Sequence, residues 1–145
     1  NNIMKNIINK NINMKSFAIL IMSVMFIWSG INKIFNFDKK VSVLMKRTGF
    51  PELLCNLGMV GVIILEILGF ILLLEYYFKI PILTKVLEKF INQEQLVKLI
   101  LILVILFIIV VTLIYHPLDF ERPIPFLTNL TILGAFIYIY DDLFN

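Results

Sequence analysis

Residues 58–74, GMVGVIILEILGFILLL, admit few folds, because the run is too long and too apolar to lie on the surface of a water-soluble domain. A helix needs about 20 apolar residues to cross a bilayer core, and this run with its flanks supplies them. Its one ionisable group is Glu66, near the middle. A carboxylate at that depth costs about 2.5–3.5 kcal/mol to insert, and it turns toward protein or water rather than lipid. The helix therefore needs neighbours that can receive the acid.

Three further segments can provide them. The predicted spans are Ser16–Phe35, Glu52–Phe78, 96–115 and 126–140, which make an all-α, integral membrane four-helix bundle. Residues 1–15 form a polar lead-in carrying Lys5, Lys10 and Lys15, residues 16–140 one membrane domain, and 141–145 a C-terminal tail. A cleaved secretory signal is the rival reading of the first segment, and the want of a small-residue cleavage motif at its end disfavours it. Two amphipathic stretches are expected at the membrane surface. Between spans one and two, Asp38 is placed to cap a helix whose Val41, Leu44, Met45 and Thr48 share a face. Gly49 suits its left-handed end and Pro51 the start of the next helix. Between spans two and three, residues 79–98 set Leu83, Val86, Leu87, Phe90 and Ile91 against Lys85, Glu88, Lys89 and Glu94, the pattern of an interfacial helix. The third span is nearly pure Leu, Ile and Val and shows no preferred face. The fourth is short and ends at Asp141-Asp142.

Composition excludes several classes. The chain is 60% hydrophobic, far from a disordered or ordinary soluble protein. Its net charge of +3 comes from lysines at segment ends, where they anchor helices at headgroup level, so nucleic acid is not an expected partner. The lipid bilayer is, together with other membrane proteins. The single Cys55 leaves no internal disulfide or multi-cysteine metal site, and the single His116 leaves no bis-histidine haem. No phosphate loop or catalytic triad is present, so the chain offers no redox centre of its own and no metal site.

Four spans put both termini on one side, and the basic residues divide too evenly to set the orientation. Helix depth then gathers a polar set. Lys33, Asn32, His116 and Asn129 fall in the half of the bundle away from the termini, and Glu66 lies roughly 18–20 Å along its helix. Lys33 is the expected partner of Glu66. Two readings stay open: a small pocket for a headgroup, a quinone-like ligand or protons, or an ion pair that fixes helix register. Gly58, Gly61 and Gly69 share one side of their helix and, with Gly30 and Gly134, are expected to admit close helix packing. Cys55 reads as a small apolar filler.

The order of these motifs resembles the DoxX family over about residues 14–140. The likeness rests on Ser29-Gly30-x-x-Lys33, Gly49-Phe50-Pro51, Glu66-x-x-Gly69 followed by three leucines, His116, and Asn129-Leu130-x-x-x-Gly134. It implies a compact four-helix membrane protein. Some members are named as membrane subunits of thiosulfate:quinone oxidoreductase, which would make a quinone the implied ligand, and others accompany oxidative-stress complexes. An arginine usual early in the first span is replaced by Phe17-Ala18-Ile19-Leu20, and a basic residue before the fourth-span Asn is here Thr128. Both departures favour a non-catalytic subunit or structural component over a redox accessory.

Overall fold

A computed structural model describes residues 14–80, 82–87 and 91–144. They form α1 (Met14–Phe35), α2 (Phe37–Thr48), α3 (Glu52–Ile64), a π-helical turn (Leu65–Gly69), α4 (Phe70–Phe78), α5 (Thr84–Leu87), α6 (Gln93–Tyr115) and α7 (Ile124–Phe144). Among the described residues no strand occurs. Four helices are long and apolar enough to cross a membrane: Ser16–Phe35, Glu52–Phe78 as one rod through the π turn, Gln93–Tyr115 and Ile124–Phe144. Residues 1–13 of the expected lead-in, and Glu88, Lys89 and Phe90 of the expected second amphipathic helix, lie outside the described residues.

Three boundaries differ from the sequence reading. The continuous helix expected over residues 79–98 is absent. Lys79 turns left-handed (φ 55°) and ends α4, residues 82–83 and 91–92 are not helical, and among the described residues α5 covers Thr84–Leu87. Asn92 restarts the chain by accepting the Glu94 N–H on its side chain, so the third span begins at Gln93 rather than at residue 96. The fourth span is not short either. Pro125 sits in its first turn, where a missing N–H costs little, and the helix runs past Asp141-Asp142 to Phe144. Its last turn is held by Lys98, whose ammonium lies 5.8 Å from the Tyr140 ring and 5.4 Å from that of Phe144.

Asn36 alone separates α1 and α2, and it breaks the helix: its φ of −121° and ψ of 32° are not helical, its N–H closes α1 on the Asn32 carbonyl, and its own carbonyl opens α2 by accepting the Lys40 N–H. Asp38 is therefore not the cap. It falls in the first turn of α2, because the helix already starts two residues earlier, behind Asn36. α2 does end as its sequence predicts, at Gly49 (φ 70°), whose N–H bonds the Met45 carbonyl. The Pro51 carbonyl then accepts from Leu54 and Cys55 to open α3. The predicted apolar face of α2 packs on this helix, with Val41, Cys55 and Met59 buried among Phe37, Leu44, Met45 and Ile63.

A larger core joins the four spans. Phe26 of α1 stacks on Phe70 of α4 at 4.4 Å, and Phe136 of α7 meets both edge-on at 5.6 and 5.8 Å. Such pairs add roughly 0.5–1.5 kcal/mol each beyond the area they bury. Phe26 meets Phe70 while Gly30 meets Ile67, so rising numbers in α1 face falling numbers in the second rod, and the two run antiparallel. α6 contributes Val97, Ile100, Leu101, Val104, Ile108 and Thr112, a clear helical face. The sequence showed no such face because the outward residues, among them Leu99, Leu103, Leu106 and Leu113, are equally apolar.

Candidate functional site

The polar centre forms where α1 crosses the π turn. The Lys33 ammonium sits 2.8 Å from Glu66 Oε1 and 2.7 Å from Oε2, and it donates its remaining proton to Ser29 Oγ at 2.6 Å. Ser29 in turn donates to Glu66 Oε1 at 3.3 Å. An ammonium has three protons, and all three are engaged inside the chain. The Glu66 side chain is 2% exposed and that of Lys33 19%, so the acid is sealed while the lysine stem reaches the edge of the core. An isolated carboxylate there would carry a desolvation cost of several kcal/mol, which the lysine and hydroxyl offset.

Local sequence builds this arrangement. Ser29 and Lys33 are one turn apart, so both side chains leave the same face of α1. Gly30, on the adjacent position, lets the rods close. A Cβ there would stand 2.7 Å from Ile67 Cγ1 and 3.2 Å from Glu66 Cβ. The π turn widens the second rod at Leu65–Gly69, with the Leu65 N–H shared between the Gly61 and Val62 carbonyls. Gly69 accommodates the neighbouring rod, with Ile100 and Leu65 methyl groups 3.4 Å from where its Cβ would be.

The other sequence candidates are not gathered here. Asn32 is exposed, and its carbonyl accepts bonds from the Asn36 backbone and side chain. His116 is exposed at the end of α6, its N–H on the Thr112 carbonyl. Asn129 is half-buried on α7 and takes no part in the bonds around Glu66. Of the five glycines expected to admit close packing, Gly30 and Gly69 are packed. Gly58, Gly61 and Gly134 have nothing within 4 Å of an added Cβ, so the expectation that they admit a neighbouring helix is corrected. Gly58 and Gly61 instead border an apolar groove between α3 and α6, with Leu103, Leu106 and Phe107 on its other side. Cys55 is buried against α2, as a filler should be.

Two participants escaped the sequence reading as site residues. Ser29 was visible only as part of a motif, although its one-turn spacing from Lys33 was a usable signal. Glu75 is a second buried acid, 6% exposed, on the same rod. It accepts from the Leu83 N–H at 2.8 Å, the Thr84 N–H at 2.9 Å and the Thr84 hydroxyl at 3.0 Å. Nothing in its flanking sequence announces this role, since the donors lie beyond the left-handed break at Lys79.

No protein-family model, curated protein or solved structure matches this chain.

Proposed function

We propose that the chain is a non-catalytic, DoxX-like component of a larger membrane assembly. In this reading it is a four-helix bundle with both termini on one side, and α2 and α5 lie near the two membrane surfaces. The Lys33–Ser29–Glu66 centre locks the first span to the second. The observation that carries this is the closure of the centre: both Glu66 oxygens and every ammonium proton of Lys33 are engaged within the chain. Such a set fixes helix register and depth, a known use of buried polar groups, and leaves no vacant donor for a substrate.

The second reading is a quinone-linked redox accessory with Lys33 and Glu66 at its ligand site. The π turn favours it, since such distortions of a helix are frequent at functional sites, and so does the partial exposure of Lys33. Purification in mild detergent separates the two. The structural reading expects membrane-protein neighbours without stoichiometric quinone, in amounts that Lys33→Met/Glu66→Gln leaves intact provided the fold survives. Stoichiometric quinone in the wild type, lost in that double variant, would reject it.

A further inference from the structure

Apart from the polar centre, α2 carries four cations, Lys39, Lys40, Lys46 and Arg47, against the single acid Asp38. Its apolar side is committed to α3, and all four cations are exposed. Lys40 and Arg47 stand seven residues apart on α2. Seven residues are close to two turns, so the two cations share one side of α2 and stand about 10 Å apart along it.

The chain is held on either side of Lys40. Before the break at Asn36, Lys33 is bound by Glu66. At the far end of α2, Arg47 Nη1 donates to the Ile114 and Tyr115 carbonyls at 3.2 and 3.3 Å, with the guanidinium 5.1 Å from the Tyr115 ring. That end is thereby level with the end of a candidate span, where tyrosines and headgroups meet. Lys40 lies between them in the chain, exposed. Large apolar side chains flank α2 at either end, Phe35 at 81% exposure and Phe50 at 53%. A row of exposed cations beside a span and between apolar flanks calls for an anion that itself has an apolar part. Both Arg47 bonds use Nη1, which leaves other guanidinium donors for a phosphate.

We propose that α2 docks the headgroup of an anionic phospholipid, with its phosphate between Lys40 and Arg47 and its acyl chains along the exposed apolar surface beside the helix. Long basic side chains reach such a headgroup from below by snorkelling. The site needs only that the chain sits in a bilayer, and it is independent of the role given to Glu66.

Native mass spectrometry of the detergent-solubilised protein, titrated with phosphatidylglycerol or phosphatidylcholine, tests the assignment. Phosphatidylglycerol should bind in preference. Lys40→Gln should weaken it about fivefold, the effect of one cation at an anionic membrane surface. Lys85→Gln, which removes an exposed lysine on α5, should leave it unchanged. Arg47→Gln also gives up the contact with α6, so Lys40→Gln is the deciding variant. Equal binding of the two lipids, no change in Lys40→Gln, or an equal loss in Lys85→Gln would overturn the proposal. Displacement of the lipid by excess inorganic phosphate would assign the site to a soluble anion and overturn it as well.

Discussion

Glu66 and Glu75 are two buried acids on one rod, and the chain satisfies them in opposite ways. Glu66 is met by a cation from another span, 33 residues away in sequence. Glu75 is met by N–H and O–H donors only eight and nine residues further on. The first arrangement couples two spans and depends on their depth and rotation. The second folds the chain back at the end of a span and shapes only the connection to α5. A buried carboxylate in a membrane protein can therefore be a long-range lock or a local cap, and its neighbours decide which.

The comparison is broken most directly by charge. Glu66→Gln keeps the shape but strands the Lys33 ammonium, and should destabilise the protein by about 3–5 kcal/mol. Adding Lys33→Met should recover much of that loss. Denaturant unfolding of the two single variants and the double variant gives the coupling, and additive effects would dismiss the lock. Glu75→Gln leaves no charge stranded. It weakens bonds to a charged acceptor, for an expected loss of about 1.5–3 kcal/mol. Hydrogen exchange should speed up at Leu83 and Thr84 and stay unchanged around Ser29. Faster exchange at both places would show that Glu75 is not a local cap.

Glycines sharpen the same contrast at smaller amplitude. Gly30→Ala drives a methyl toward Ile67 and Glu66 and should cost about 1–3 kcal/mol by overpacking. Its effect should shrink when Glu66 and Lys33 are already replaced. Gly61→Ala enters open space on a helix, and helical propensity alone predicts a gain of about 0.5–1 kcal/mol. A loss at Gly61 as large as that at Gly30 would mean that something covers the α3–α6 groove in the assembled protein.

The membrane character was legible because a run such as residues 58–74 has no other stable environment than lipid or a large apolar core. So was the link between Glu66 and Lys33, since depth along helices follows from residue counting and a buried acid seeks a cation. The end of α2 at Gly49 was legible from local backbone chemistry. Tertiary structure alone decided the rest. Which face of α6 turns inward could not be read, because where lipid is the solvent, inward and outward residues are equally apolar. The Phe26–Phe70–Phe136 cluster brings together three distant segments with no common motif. The π turn, the packing of Gly30 and Gly69 but not Gly58, Gly61 or Gly134, and the donors to Glu75 share this origin. Each depends on where a second segment lies, and spacing along one segment carries no record of that.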